Sequence, residues 1–292
     1  MEHVVLYHRP ELRSPYLVAG FAGWPNAGEV STGTISYLKE KLKAEKFGEI
    51  EPHAFYDFPS LRPQTVIENG LIRELRFPAN EFFYWKSEKS DHDLIILLAV
   101  EPHLRWDEYV DLILHLAKQF KVERIYTVGG TYDRVPHTVR PMVTAAVSDL
   151  ELKEELKKYD IEPVEYQGPC SIHTVLLAAA KRRNIKGVSL WGHAPHYIQV
   201  KNSKVCYGIL EGLTKMLQIE LDLQEIIDAS EYLDEQVSEA MSQKPELEEY
   251  VKDLEKEYQA IEKYKEPAKE EDIIKEVENF LREGQGEDKE QS

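Results

Sequence analysis

The chain has 292 residues, 42% hydrophobic and 30% charged, with Lys plus Arg at 36, Asp plus Glu at 53 and a net charge of −17. That balance excludes a nucleic-acid binder, which needs clustered Lys and Arg to meet phosphates, and it opposes binding to anionic membranes. The two cysteines, Cys170 and Cys206, exclude a disulfide scaffold and a four-thiolate zinc site, and they point to a reducing compartment, the cytoplasm.

No apolar run approaches the roughly 18 residues of a membrane span. The longest, Leu94 to Val100, suits a buried strand. Met1 to Pro10 is too mixed and charged for a signal segment. Heavy use of Glu and Lys with few Met and Cys fits a thermophilic source. From Gln218 to Ser292 there are 25 acidic and 9 basic residues, a net of −16, which leaves −1 for the first 217. Glycine is absent between Gly212 and Gly284. The shift divides the chain into a near-neutral body, residues 1–220, and an acidic extension, residues 221–292.

In chain order, Tyr16 to Phe21 reads as a strand ending at Gly23. A helix follows over Ala27 to Leu42, with Ile35, Leu38 and Leu42 on one face. Ala54 to Phe58 reads as a strand. Thr65 to Glu68 and Leu71 to Leu75 flank Asn69-Gly70, a hairpin turn in which both residues accept positive φ. Glu81 to Trp85 is another strand. Its Phe82, Phe83, Tyr84 and Trp85, with Trp106, are expected on a surface where copies of the body associate. His92 to Val100 is apolar on both faces, as in a covered sheet. Tyr109, Leu112, Ile113, Leu116 and Phe120 set a helix. Arg124 to Val128 is a strand ending in Gly129-Gly130, Val143 to Tyr159 is mostly helical, and Pro163 to Tyr166 is a short strand. Ile172, Val175, Leu176, Ala179 and Ala180 mark a buried helix, Lys186 to Trp191 a strand ending at Gly192, and Ser203 to Leu217 a helix. The alternation implies an α/β fold with a mainly parallel mixed sheet covered on both faces. Ligands or partners are then met beyond the carboxyl ends of the strands. Those ends are Gly23-Trp24, Glu101-Pro102-His103, Gly129-Gly130-Thr131 and Gly192-His193.

Gly23-Trp24-Pro25-Asn26-Ala27-Gly28 has the glycine spacing of a phosphate loop, but Glu29 and Val30 stand where that loop has Lys and Ser or Thr. A carboxylate replaces the cation and an alkyl group the magnesium-binding hydroxyl, so no nucleotide and no cofactor is expected. The alternative is a tight strand-to-helix turn, with Asn26 as cap and Glu29 in the first turn against the helix dipole. Trp24-Pro25 then faces a ligand or a partner. Gly129-Gly130-Thr131 either brings N–H groups to an anion or is a plain turn. In His193-Ala194-Pro195-His196 the proline opposes a helical metal pair, and Asp91-His92-Asp93 reads as solvated charge. No metal centre is expected. Cys170 and His173 either share a helix face as nucleophile and base or are ordinary buried residues. No convergent catalytic set emerges. The pocket or partner-surface candidates are Gly23, Trp24, Pro25, Asn26, Glu29, Gly129, Gly130, Thr131 and His193.

Together with Phe58-Pro59-Ser60-Leu61-Arg62-Pro63, Gly168-Pro169 before an apolar helix and Leu190-Trp191-Gly192-His193, these motifs make Ser14 to Leu217 resemble the proteasome assembly chaperone family, in its archaeal and bacterial branch. The resemblance implies a three-layer α/β/α fold similar to purine nucleoside phosphorylases, without a confirmed catalytic set. It also implies a role in protein assembly, with proteasome subunits as clients. Some archaeal members are described as relatives of ATP-grasp ligases, a description to which Glu29 and Val30 lend nothing. Proteasome-docking proteins often end in a hydrophobic residue, Tyr and one final residue. This chain ends Glu290-Gln291-Ser292, so a partner such as a paralogous chaperone supplies that tail, or the client is another complex.

In the extension, Leu223, Ile226, Ile227, Leu233 and Val237 give a helix over about Asp222 to Met241, and Pro245 starts another. Leu247, Tyr250, Val251, Leu254, Tyr258 and Ile261 form its apolar stripe, repeated by Ile273, Ile274, Val277, Phe280 and Leu281. Residues 283–292 read as disordered. The stripes either fold back on the body or project from it to pack on copies or a partner. Two functions follow. One is a non-enzymatic assembly chaperone or scaffold, a homo-oligomeric ring of three or more subunits with protein clients. The other is an enzyme or binding protein for a nucleoside-like small molecule at the strand ends. Fold alone does not decide between them.

Overall fold

The computed structural model describes residues 3–265. The chain forms two compact units, the first ending at Ala240 and the second beginning at Met241. In chain order the strands are β1 (Val4–Leu6), β2 (Tyr16–Ala22), β3 (Glu45–Ile50), β4 (Gln64–Glu68), β5 (Leu71–Arg76), β6 (Glu81–Trp85), β7 (Leu94–Val100), β8 (Arg124–Asp133), β9 (Val143–Val147), β10 (Glu162–Pro163) and β11 (Lys186–Pro195). The α-helices are α1 (Val30–Lys41), α2 (Trp106–Gln119), α3 (Leu150–Leu156), α4 (Ile172–Arg182), α5 (Ser203–Leu217), α6 (Gln224–Ser242) and α7 (Pro245–Lys265).

Nine strands form one sheet in the order β1-β3-β6-β7-β2-β8-β11-β9-β10, and β4 and β5 pair separately. The central four, β7-β2-β8-β11, are parallel. The wings are not: β6, β3 and β1 alternate in direction on one side, and β9 runs antiparallel to β11 on the other. The sheet is therefore parallel in its centre and mixed overall. Side chains alternate across it as the two-residue strand period requires. Tyr16, Val18, Leu94, Ile96, Tyr126 and Val128 face a core closed by α1, α3, α5 and Ile226 of α6. Leu17, Ala19, Phe21, Ile95, Leu97 and Ile125 face a second core closed by α2 and α4. This is the three-layer α/β/α arrangement. The helices start where chemistry lets them. Asp149 accepts from Leu152 N–H at 3.3 Å and Asn202 from Val205 N–H at 3.0 Å, while Pro245 opens α7.

Several elements differ from the sequence reading. Ala54–Phe58 is not a strand. A turn of 3₁₀ helix at Pro52–Ala54 leads instead into Phe55 and Tyr56, which are buried as anchors. The strand lies earlier, at β3, where only Phe47 and Ile50 are apolar and buried. Val143–Val147 is strand rather than helix, because its β-branched ends pair with β11. β10 is shorter than Pro163–Tyr166. Phe82 and Phe83 are core residues, not an association surface. Asp93 is buried, not solvated: its carboxylate accepts from Arg13 N–H at 2.6 Å and Ser87 N–H at 2.9 Å.

Candidate functional site: the strand-end surface

All four parallel strands point their carboxyl ends at one edge of the body. There β2 hands over to the loop 23–29, β7 to residues 101–105, β8 to 134–142 and β11 to 196–202. The chain crosses over at β2, whose next strand lies to one side while β8 lies on the other. Open α/β sheets form their ligand crevice at such a place.

Here the crevice is filled by the chain itself. Gly130 N–H donates to Pro25 O at 2.8 Å, and Asn26 bridges Gly130 in strand geometry. A Cβ on Gly130 would lie 2.6 Å from Ala27 O, so only glycine admits this approach. Gly129 and Gly130 are thus interior to β8, not a turn at its end. Gly129 lies against the Trp191 ring, 2.9 Å from where its Cβ would be. Thr131 pairs with His193 in the same ladder. Gly192 likewise sits within β11.

The loop is a kinked entry rather than a phosphate cradle. Gly23, Gly28 and Glu29 all have positive φ, and α1 begins only at Val30. Glu29 therefore stands immediately before α1 rather than in its first turn. Asn26 does the capping from further back, its Oδ1 accepting from Thr32 N–H at 3.0 Å. Ser31 Oγ accepts from Phe21 N–H at 2.8 Å, and its hydroxyl donates to Val128 O, tying α1 to β2 and β8. The Gly28 N–H is taken by Tyr132 Oη at 3.2 Å. With these donors engaged and a carboxylate at Glu29, magnesium ATP is expected to leave the melting temperature unchanged. Binding at a hundred times its Kd would instead add about 2.7 kcal/mol, and a thermal-shift titration decides.

Glu101 at the end of β7 locks the loop to α4. Its Oε1 accepts from Ile172 N–H at 2.8 Å, and it also takes the Trp24 N–H. Burial pushes its carboxyl above the ordinary range, against the pull of those N–H groups. Behind it, His173 is fully buried between Phe21 and Trp191, with ring centroids 5.3 and 5.4 Å away. Neither ring nitrogen has a hydrogen-bond partner among the described residues. Cys170 is exposed, so it and His173 do not form a nucleophile and base pair. The other cysteine, Cys206, is buried, and burial pushes its thiol up to about 11.

His193 belongs to a second cluster. Its Nδ1 meets Asp133 Oδ2 at 2.7 Å and its Nε2 meets Thr144 Oγ1 at 3.0 Å, linking β8, β11 and β9. The His193 hydrogen bond holds the Asp133 carboxyl below its ordinary value. The adjoining cavity, lined by His137, Met142, His193 and Lys204 among others, holds about 20 Å³, room for roughly one water. Among the described residues no three His, Cys, Asp or Glu side chains gather to hold a metal. No described helix is long and apolar enough to cross a membrane.

The edge presents apolar groups outward beside the exposed carboxylate of Glu29. Trp24 is 60% exposed, 6.5 Å from Trp191 in edge contact, and Tyr132 and Val200 lie exposed on either side of the loop. Asn26 and Thr131, both half-buried, border this surface, whereas Pro25 does not face outward as the sequence suggested: it is buried, its carbonyl tied to Gly130. The structure brings Gly23, Trp24, Pro25, Asn26, Glu29, Gly129, Gly130 and Thr131 together, with His193 on the neighbouring strand. Sequence reasoning missed Glu101 as the latch and Tyr132 as the loop's partner. On α7, Val251 and Leu254 are buried and Leu247 is exposed. Ile273, Ile274, Val277, Phe280 and Leu281 lie outside the described residues, as does the side chain of Ile261.

No curated protein matches the chain. Among solved structures it is similar to a PAC2 family protein from Streptomyces avermitilis, at 26% identity and a TM-score of 0.73 over 81% of this chain and 99% of that one. It is similar to a proteasome-assembly chaperone homologue from Mycobacterium tuberculosis, at 27% identity and a TM-score of 0.74 over 81% and 99%. It is also similar to PbaB, an archaeal proteasome activator from Pyrococcus furiosus, at 26% identity and a TM-score of 0.66 over 82% and 100%. The PAC2 family pattern runs through residues 20–241, from the middle of β2 through almost all of α6 and so across the whole strand-end surface; the chain belongs to the PAC2 family.

Proposed function

We propose that this protein is a non-enzymatic assembly chaperone for proteasome subunits, acting in the cytoplasm as a homo-oligomeric ring of three or more copies. The observation that carries the reading is the strand-end edge. Where an α/β enzyme opens a crevice, this chain inserts its own loop and turns Trp24 outward, a surface suited to a protein rather than a small molecule. Likeness to a proteasome-assembly chaperone homologue and a proteasome activator supplies the client class. The acidic extension adds long-range steering toward basic client surfaces, which weakens as salt screens it. A nucleoside-like ligand, the reading attached to a nucleoside phosphorylase likeness, would have to displace the 23–29 loop from Gly130 at the crossover point.

The test mixes the full chain with separately purified proteasome α and β subunits and follows the assembled particle by native electrophoresis and peptidase activity. Assembly is expected to accelerate. An unchanged rate, with no chaperone–subunit complex by native mass spectrometry, would overturn the reading.

A further inference from the structure

The proposed function leaves unused the small polar cavity beside His193. It lies where the 134–142 stretch, the end of β11, the N-terminus of α5 and the middle of α6 meet, and His137, Arg140, Asn202, Lys204 and Asp234 are in its wall. Asn202 is 2% exposed. Its side-chain oxygen caps α5 by accepting from Val205 N–H at 3.0 Å, and its main-chain N–H donates to Gly28 O at 2.8 Å. Because that oxygen must accept, the amide turns its Nδ2 the other way, and Nδ2 has no partner among the described residues. Lys204 Nζ donates to Asp234 Oδ2 at 2.6 Å and to His137 O. An ammonium has three N–H groups, so one remains. The first N–H groups of a helix also lack intrahelical partners and form the positive end of its dipole, and α5 runs for 15 residues from Ser203.

We propose that this cavity is a binding site for a small inorganic anion, a chloride ion held by Asn202 Nδ2, Lys204 Nζ and the N-terminus of α5. The spare groups that converge there are donors. A buried amide donor left unpaired costs about 1–3 kcal/mol, and an anion, which only accepts, satisfies several donors at once. A cation would meet N–H groups instead. Charge agrees. In a chain of net charge −17, the wall of this cavity holds Arg140 and Lys204 against a single carboxylate, Asp234, which Lys204 offsets. The Arg140 guanidinium also reaches Asp160 at 3.1 Å and Glu211 at 3.3 Å, so the focusing falls mainly to Lys204 and the helix dipole. Nearby Asp133 is held by His193. Size selects the ion: about 20 Å³ admits one group the size of a water, which suits a halide and not a tetrahedral oxyanion. A bound anion would tie the start of α5 to α6 through Lys204 and Asp234. Through the Asn202 N–H it would also steady Gly28, at the root of the loop that carries Trp24.

The test is the thermal melt of the full chain in sodium chloride against sodium gluconate at equal ionic strength, beside an Asn202→Asp variant. Aspartate caps a helix as well as asparagine does and keeps the oxygen that Val205 N–H needs, but it puts a carboxylate oxygen where the donor was. The wild type is expected to gain about 3–6 °C, saturably, at ten times the chloride Kd. The variant is expected to gain nothing. A second measurement uses the wild type alone and so does not depend on the variant's stability. Crystals grown in sodium bromide are expected to show one anomalous scatterer within hydrogen-bond reach of Asn202 Nδ2 and Lys204 Nζ. A melt indifferent to the anion, an equal chloride gain in both proteins, or bromide crystals without a scatterer in the cavity overturns the site. If phosphate separates the wild type from the variant and chloride does not, the cavity takes an oxyanion and the halide assignment falls.

Discussion

A His173→Leu variant is expected to melt above the wild type at neutral pH, and the gap should widen as pH falls. The imidazole is fully buried against Phe21 and Trp191, and neither nitrogen has a partner among the described residues. An unsatisfied buried polar group costs about 1–3 kcal/mol, and an apolar side chain of similar size removes that cost. For a domain of this size each kcal/mol is worth about 2–4 °C in Tm. Burial also pushes the His173 pKa down to about 3 in the folded protein, against about 6.5 when unfolded. Between those values the unfolded chain binds a proton that the folded chain excludes, so stability rises with pH. The contribution is fully present above about pH 6.5 and is lost at about 1.4 kcal/mol per pH unit as pH falls toward 3. Denaturant titrations of both proteins at pH 7, 6, 5 and 4 check this, because carboxylates common to both cancel in the difference. A constant gap across that range would show that the imidazole does not titrate on unfolding in the way its burial requires.

The residues around His173 also show where sequence patterns stop informing. α5 is legible residue for residue, because Ser203 to Leu217 carries its own apolar stripe behind Asn202. The hairpin is legible because Asn69-Gly70 is a local demand on φ. Glycines at 129, 130 and 192 read as punctuation, and the structure uses them for packing. Trp191 lies over Gly129, the 23–29 loop over Gly130, and Val205 with Ile209 over Gly192. A single sequence does not distinguish a glycine that ends a strand from one that admits a neighbour, since the neighbour comes from far along the chain. β3 was hidden for a related reason. Its EKFGEI sequence buries only two apolar side chains, and pairing with β1 and β6 supplies the rest. Trp24 was legible as a surface residue. Its latch, Glu101 to Ile172 N–H, spans 71 positions and was not. The hairpin's exposure was equally silent, because an apolar alternation looks the same covered or bare.

Gly130→Ala is expected to damage the strand-end surface more than any neighbouring small change. The added methyl would stand 2.6 Å from Ala27 O and 2.7 Å from Val30 Cβ. Neither is the free end of a flexible side chain, so the 23–29 loop must lift and the Gly130 N–H bond to Pro25 O must lengthen. Overpacking of this kind costs about 1–3 kcal/mol, several degrees in Tm. The same movement carries Trp24 away from Trp191, now 6.5 Å distant in edge contact, so tryptophan emission should shift. Gly70→Ala is the control. Nothing lies within 4 Å of its added methyl, and its cost comes only from holding alanine at φ +79. It should strain the hairpin turn and leave the emission alone. If the loop is the client surface, Gly130→Ala slows proteasome assembly beyond what its lost stability accounts for at a temperature where it remains folded. Gly129→Ala provides the finer comparison. Its methyl meets the Trp191 ring at 2.9 Å, a side chain rather than backbone, so the ring can turn while the loop stays seated. Assembly that falls equally in both alanine variants would place the decisive element at Trp191. Assembly that falls only with Gly130→Ala would place it in the loop that carries Trp24.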